Sequence, residues 1–152
     1  MSTKEPDAGA PSADRGLSTA ERAALKERTA EVKAERRRSS KADKEAEVLA
    51  KIAELPQPDR GLAEQVHALV RETASDLAPR TWYGMPAYAK DGKVLCFFQA
   101  AAKFDTRYAT FGFNDVARLD DGTMWPTAYA LTGWDDGVAA RLRDLVTRAT
   151  AD

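Results

Sequence analysis

Two stretches of the chain carry apolar residues at the spacing of an amphipathic helix. One covers residues 62–77 and stops before Pro79, and the other covers residues 138–149. Asp59 stands just ahead of the first stretch, where its carboxylate can cap the helix. The pattern therefore predicts one helix before the aromatic part of the chain and one at its end.

The first third of the chain predicts two further helices, which are rich in charge. Residues 18–21 read STAE and fit a capping box, and helix-forming residues with a thin apolar stripe then follow as far as residue 38. The segment RRRSSK at residues 36–41 interrupts this pattern. A second helix is predicted at residues 43–55, where it ends before a pair of prolines.

Between the two amphipathic helices the pattern changes to short strands. We predict strands at residues 85–90, 93–100, 108–113 and within 123–132. Asp91 and Gly92, between the first two strands, form a typical hairpin turn. Residues 94–98 read VLCFF and are apolar at both parities, so we expect this strand to be covered on both faces.

Helices that flank a run of strands joined by tight turns indicate an α+β fold with a small, mostly antiparallel sheet packed with helices. We expect about four or five strands in this sheet. Residues 1–16 are predicted to be a disordered tail, residues 17–58 a charged helical extension, and residues 59–152 the α+β domain.

Composition places the core in the second part of the chain, because every aromatic residue lies between Trp82 and Trp134. The net charge of −1 argues against recruitment of nucleic acid or of an acidic membrane surface. The single Cys96 and the single His67 exclude an internal disulfide and a zinc site built from Cys and His. No apolar run is long enough to span a membrane and the first residues show no secretory signal, so we expect a cytoplasmic protein.

The densest group of aromatic residues is the segment WYGMPAY at residues 82–88. It can belong to the core, or it can form one wall of an apolar cleft for a small ligand. In the second case the hydroxyl groups of Tyr83 and Tyr88 would orient the ligand, and Met85 would adapt to its shape. Lys103, in the loop before a later strand, could hold an anion beside the cleft. These four residues are our candidates for a ligand pocket.

Two pairs of adjacent carboxylates are candidates for a metal site, namely Asp120 with Asp121 and Asp135 with Asp136. Carboxylate oxygens suit hard iron ions. The same residues also have a structural explanation, because Asp-Asp-Gly is a turn sequence and the second pair stands where the last predicted helix begins. Both explanations are open from the sequence alone.

Three other features of the sequence contain residues that could take part in catalysis or binding. His67 lies one position off the apolar face of its helix, which predicts a boundary or surface position, and it could act as a general base only with a nucleophile or an orienting carboxylate in reach. Cys96 falls within an apolar strand, where it should behave as a small hydrophobe. The basic block at residues 36–38 could grip phosphate, but its acidic neighbours and the lack of interleaved aromatics favour a solvated helix.

Four segments together resemble the YdhG-like family of small bacterial proteins. They are WYGMPAY at 82–88, GKVLCFF at 92–98, FGF at 111–113 with the tyrosine before it, and LDDGTMWP at 119–126. The resemblance covers residues 62–149 and implies a compact α+β domain of unknown function, without a known set of catalytic residues. Because some members carry the label iron chaperone or frataxin-like, it also implies iron as a cargo to consider, with no assigned ligands.

The leading hypothesis is a cytoplasmic, non-enzymatic binding protein that handles iron or another small ligand. One alternative is an adaptor that binds a protein partner through the charged helices at residues 17–55. Another is an enzyme with a cleft near Tyr83 and Lys103, which a pocket with convergent polar groups would support. Neither nucleic acid nor a membrane is expected as a partner.

Overall fold

The structure is a computed structural model that describes residues 18–152, except for the side chains of residues 27, 28 and 30–40. The disordered tail predicted at residues 1–16 lies outside the described residues. The elements follow in the order α1 (Thr19–Ala53), α2 (Asp59–Thr73), β1 (Ala78–Trp82), β2 (Met85–Lys90), β3 (Lys93–Gln99), α3 (Ala101–Phe104), β4 (Ala109–Phe113), β5 (Ala128–Leu131) and α4 (Asp136–Thr150). The α+β class predicted from the sequence is confirmed.

Helix α1 is one continuous helix, so the break predicted at residues 36–41 is wrong. Two serines cost a helix little stability when strong helix formers surround them, and the neighbouring arginines, lysines and alanines are such residues. The helix begins with the predicted capping box. The backbone N–H of Glu21 donates to Oγ of Ser18 at 3.0 Å, and the N–H of Ser18 donates to Oε1 of Glu21 at 2.9 Å.

The chain divides into two units between Ser40 and Lys41. The helical extension predicted from the sequence instead ends at residue 58. The structural division falls earlier because the C-terminal part of α1 buries apolar side chains. Val48 and Ile52 are 0% and 2% exposed and belong to the core of the second unit. The part of α1 that follows Ser40 is therefore part of the folded domain.

The five strands form one antiparallel sheet in the order β1-β2-β3-β4-β5. Two-residue turns join the first three strands, with Tyr83 and Gly84 between β1 and β2, and Asp91 and Gly92 between β2 and β3. All four residues have positive φ, which gives a hairpin turn the twist of the strands that it joins. The hairpin predicted at Asp91 is confirmed, whereas β1 and its turn were not predicted.

Helices α2 and α4 pack against one face of the sheet, which we call the inner face. The fully buried side chains of Tyr88, Phe98 and Phe111 lie on this face and share the core with both helices. Because side chains alternate along a strand, the neighbouring positions point to the opposite, outer face. Phe97 and its cross-strand partner Gly112 are such positions. The sheet thus has one helix-covered face and one face formed by its own side chains.

A bulge in β3 changes which residues face the core. The ladder between β2 and β3 shifts its register after the pair of Tyr88 and Cys96, and Leu95 is the extra residue. Leu95 and Cys96 are both fully buried members of the core. Phe97, on the outer face, is half-buried. The strand is therefore covered on its inner face by helices and on its outer face only in part, by side chains of the sheet.

Asp59 is the first residue of α2, and its carboxylate does not cap that helix. Instead, Oδ2 of Asp59 accepts a hydrogen bond from the backbone N–H of Ala102 at 2.9 Å, in the short helix α3. Asp59 is 3% exposed, so this bond satisfies a buried carboxylate. The cap predicted for α2 is wrong, because the side chain turns to α3.

Candidate functional site

The segment WYGMPAY is divided between the end of a strand, a turn and the start of the next strand. Trp82 ends β1, Tyr83 and Gly84 form the turn, and β2 begins at Met85. Tyr83 is 79% exposed, whereas Met85 is 7% exposed. The turn therefore presents Tyr83 to solvent at one end of the sheet, while Met85 packs on the outer face beside its partner Trp82.

The ammonium group of Lys103 in α3 holds this turn. Its Nζ donates to the carbonyl oxygen of Gly84 at 3.0 Å, and a Cβ on Gly84 would collide with the same ammonium group. Gly84 also has a φ of 76°, so the backbone conformation favours glycine, and a Cβ here would push the flexible end of Lys103 away from the carbonyl. The structure thus brings Lys103 to the turn that carries Tyr83, with its ammonium group bonded to the backbone.

Tyr88, another of the four ligand-pocket candidates, lies on the inner face. It is 0% exposed, and burial raises the pKa of its hydroxyl group above the ordinary value of 10.0. The sheet separates it from Met85 on the outer face and from the exposed Tyr83. The four candidates therefore do not line one common pocket.

The hydroxyl group of Tyr88 starts a hydrogen-bonded chain that links three elements. Nδ1 of His67 in α2 lies 2.9 Å from this hydroxyl, and Nε2 of His67 lies 2.9 Å from Oε2 of Glu45 in α1. Nε of Arg71 donates to the same carboxylate oxygen at 3.1 Å. His67 is 8% exposed, so it is buried rather than at a boundary. Glu45 is the orienting carboxylate that the sequence could not locate.

The protonation of this chain follows from its partners. A carboxylate only accepts, so Nε2 of His67 carries a hydrogen, and in a neutral imidazole Nδ1 then accepts from the hydroxyl group of Tyr88. Burial alone would raise the pKa of Glu45, but the hydrogen bond from His67 and the charge of Arg71 outweigh it and hold the pKa below 4.5. Because the chain ends at a fully buried tyrosine, we assign it a structural role.

An aromatic cluster occupies the outer face. The ring centroid of Trp82 lies 5.3 Å from that of Phe97 and 5.0 Å from that of Tyr83. The Phe97 ring lies over Gly112 on the neighbouring strand, where a Cβ would collide with it. Glycine at position 112 therefore lets the Phe97 ring lie close to the sheet, and Trp82 packs against that ring.

A groove of about 590 Å³ lies beside Trp82 on this face, and we call it the outer groove. Arg80 precedes Trp82 by two residues and so shares its face of β1, and Lys93 begins β3. Both cations line the groove, together with Trp82 and the buried Val94. Asp115 is the one carboxylate among the groove residues, so the lining carries a net positive charge.

Three residues in or beside the outer groove were not identified from the sequence, namely Arg80, Lys93 and Phe97. One signal was available, because Arg80 and Trp82 are two residues apart and share a face of any strand that contains both. Strand β1 was not predicted, so this spacing was not interpreted. Phe97 faces outward as a result of the bulge at Leu95, which no sequence pattern marked.

The four metal candidates lie at the surface and are not assembled into one site. Oδ1 of Asp135 accepts from the backbone N–H of Val138 at 2.8 Å and caps α4, and Asp136 lies in the first turn of that helix. Asp120 and Asp121 are exposed in the connection between β4 and β5. Among the described residues, no group of three or more His, Cys, Asp or Glu side chains is placed to hold a metal ion.

Comparison with known proteins gives no match for this chain among models of protein families, curated proteins or solved structures. The resemblance to the YdhG-like family therefore stays a prediction from the sequence. Within residues 18–152, no helix is both long enough and apolar enough to cross a membrane.

Proposed function

We propose that the chain is a non-enzymatic binding protein whose ligand lies in the outer groove and is a flat, apolar molecule with one negative charge. The observation that carries the proposal is that Trp82, Arg80 and Lys93 line one groove, with Trp82 and Arg80 on the sheet face opposite α2 and α4. We further expect the protein to act in the cytoplasm, which rests on the sequence analysis.

The chemistry of the groove residues supports this class of ligand. The indole ring of Trp82 offers a flat apolar surface on which a planar group can stack. The guanidinium group of Arg80 can bind a carboxylate or sulfonate through two parallel hydrogen bonds, and Lys93 adds a compact positive charge. Asp115 offsets one of these two charges, so the groove suits a monoanion better than a dianion.

A catalytic function has less support from the geometry. The ammonium group of Lys103 is bonded to a backbone carbonyl, and Tyr83 stands on an exposed turn. The pair of His67 and Glu45 leads to the hydroxyl group of Tyr88, which is fully buried. None of these residues lines the outer groove, where a substrate would have to meet a base or a nucleophile.

Iron as the ligand also has less support than an organic anion. A hard iron ion needs several oxygen ligands around one point. The described residues hold no such group of carboxylates, and Asp135 already caps α4. The proposal therefore keeps the binding function of the leading hypothesis and changes the class of ligand.

Fluorescence titration with two related probes tests the proposal. The anionic probe is 8-anilinonaphthalene-1-sulfonate, and the neutral probe is N-phenyl-1-naphthylamine, which has the same aromatic body without the sulfonate. We expect saturable binding of the anionic probe and clearly weaker binding of the neutral one. Replacement of both cations, Arg80→Gln with Lys93→Gln, should lower the affinity for the anionic probe about tenfold, because two charge-assisted contacts are lost.

Arg143→Gln is the matched control, because Arg143 is a half-exposed arginine of α4 that pairs with Glu72 at 3.5 Å. This variant should bind the anionic probe like the unmodified chain. Trp82→Ala should lower the affinity for both probes, and circular dichroism checks that this variant folds. Equal binding of the anionic probe by the double variant and by the control would disprove the proposal, whatever the outcome for Trp82→Ala.

A further inference from the structure

A second cleft lies between α4 and the connection from β4 to β5, away from the outer groove. Its volume is about 210 Å³. Leu119 and Leu145, which are 3% and 5% exposed, form its apolar floor. Trp125 and Tyr129, both half-buried against the core, form an aromatic wall. We call this the α4 cleft.

Four charged side chains surround the aromatic wall, two of each sign. The guanidinium carbon of Arg141 lies 5.5 Å from the ring centroid of Tyr129, and Arg148 follows seven residues later on the same side of α4. Asp144 lies between them in sequence and its Oδ2 is 3.8 Å from a guanidinium nitrogen of Arg148. Asp121, one of the metal candidates, lines the cleft from the opposite connection. The charges therefore balance.

This balance restricts the chemistry of a ligand. A simple anion would gain from the two arginines but would face two carboxylates, and a simple cation would face two guanidinium groups. A zwitterion can place its carboxylate on an arginine and its ammonium group on an aspartate at once. The apolar floor and aromatic wall then remain for an uncharged side chain. The cleft volume of about 210 Å³ lies below the roughly 300–1,000 Å³ of pockets for drug-sized molecules, so the ligand is small.

We propose that the α4 cleft binds a free α-amino acid with an aromatic side chain. The carboxylate contacts Arg141, the ammonium group contacts Asp121, since Asp144 already pairs with Arg148, and the aromatic ring packs against Trp125 above the leucine floor. This site shares no lining residue with the outer groove. The inference therefore goes beyond the proposed function, and either can fail without the other.

Titration of isotope-labelled protein with L-phenylalanine tests this proposal by NMR. The signals to follow are the indole N–H of Trp125 and the guanidinium Nε–H of Arg141. We expect saturable shifts of both signals. Phenylacetate lacks the ammonium group and phenethylamine lacks the carboxylate, so each should bind about tenfold more weakly than L-phenylalanine. L-Alanine, which lacks the ring, should also bind more weakly.

Two arginines of α4 provide a matched pair of variants. Arg141→Gln should lower the affinity for L-phenylalanine about tenfold. Arg143→Gln, two residues away and outside the cleft, should leave this affinity unchanged. Asp121→Asn, in an exposed connection, gives a second variant that should weaken binding without affecting the helix.

The absence of saturable shifts in the millimolar range would overturn the proposal. So would equal binding of phenylacetate, which would indicate a plain anion site, or equal weakening by Arg141→Gln and Arg143→Gln, which would indicate a general charge effect. Because the shifts are read at Trp125 rather than Trp82, binding in the outer groove is recognised separately.

Discussion

Nε2 of His67 lies 2.9 Å from Oε2 of Glu45, which joins helix α2 to the C-terminal part of α1 through a buried histidine. Arg71 donates to the same oxygen, and Tyr88 completes the chain on the sheet. The two helix residues are 22 positions apart in sequence. Residues after Ser40 belong to the folded domain for two reasons, this polar contact and the apolar contacts of Val48.

Replacing Glu45 by Gln should destabilise the domain. The glutamine amide carries no negative charge, so the ring N–H of His67 and the guanidinium group of Arg71 both lose their charged acceptor. We expect this loss to cost about 1–3 kcal/mol of unfolding free energy. Urea unfolding followed by circular dichroism measures this change. Glu47→Gln, at an exposed position of the same helix, is the control and should change stability little. Equal effects of the two substitutions would remove the role assigned to Glu45.

The same contact predicts a pH dependence of stability. The pKa of Glu45 is lowered in the folded protein, because the hydrogen bond from His67 and the charge of Arg71 outweigh the effect of burial. A lowered carboxyl pKa stabilises the fold above the unfolded pKa of about 4.3 and loses this stabilisation as the pH falls through the folded pKa. Unfolding free energies measured from pH 7 to pH 3 should therefore fall less steeply for Glu45→Gln than for the unmodified chain. Parallel curves would contradict this assignment.

Two turn glycines separate backbone strain from a side-chain clash. Gly84 and Gly92 have φ values of 76° and 80°, but only Gly84 has a group, the ammonium of Lys103, in the space of a Cβ. Gly92→Ala should cost about 1–2 kcal/mol, the cost of the left-handed conformation, and Gly84→Ala should cost somewhat more, because the flexible end of Lys103 must also give up its hydrogen bond to the carbonyl of Gly84. Adding Lys103→Ala to Gly84→Ala should recover part of the difference in a double-mutant cycle. Equal costs at both glycines would exclude the clash.

The capping role of Asp135 gives a prediction that distinguishes it from metal binding. Asp135→Ala should lower stability by about 1 kcal/mol, because the backbone N–H of Val138 loses its acceptor. Asp135→Asn should be nearly neutral, since asparagine is an equally good cap. Thermal unfolding measures both variants without added metal. If the alanine variant were as stable as the asparagine variant, the cap would not contribute to stability.

Cys96 should be unreactive in the folded protein. It is 0% exposed, and burial raises the pKa of its thiol above the ordinary value of 9.0, so little thiolate forms and a reagent cannot reach it. Labelling with 5,5′-dithiobis(2-nitrobenzoate) should be slow in buffer and complete in denaturant. The destabilised Glu45→Gln variant should react faster through more frequent opening. Rapid labelling of the unmodified chain would contradict the burial of this strand.

Turn chemistry made part of the sheet predictable. Asp91 and Gly92 mark a hairpin by their types, and the predicted strands at residues 85–90 and 93–100 match β2 and β3 closely. The capping box at Ser18 also depends only on nearby residues, because its two partners, Ser18 and Glu21, are three positions apart. These two features depend only on neighbours in sequence, whereas the equally local cap at Asp59 failed because its side chain found a distant partner.

Strand β1 was not predicted because its signals point elsewhere. Pro79 ends the preceding helical pattern, and Tyr83 takes a positive φ that side chains other than glycine and asparagine rarely adopt. Pro79 is tolerated because β1 is an edge strand, which pairs on one side only. Arg80 was missed for the same reason, since its position beside Trp82 on one face follows only from this strand.

Contacts between distant parts of the chain were beyond sequence reasoning. His67 was placed at the edge of the apolar face by its spacing, but its burial depends on Glu45 and Tyr88. The same contacts change the adaptor alternative. A helical arm that is free to bind a partner cannot use the whole of residues 17–55, because residues after Ser40 belong to the domain.

Gly112 also sets the depth of the outer surface. The ring of Phe97 lies where a side chain at position 112 would stand, and Trp82 packs against that ring. An alanine at position 112 would lift the Phe97 ring, and Trp82 would have to follow. The shape of the surface next to Arg80 is thus controlled from three strands away, by a residue that does not line the groove. For the function proposed above, position 112 should therefore limit the thickness of the planar group that fits against Trp82.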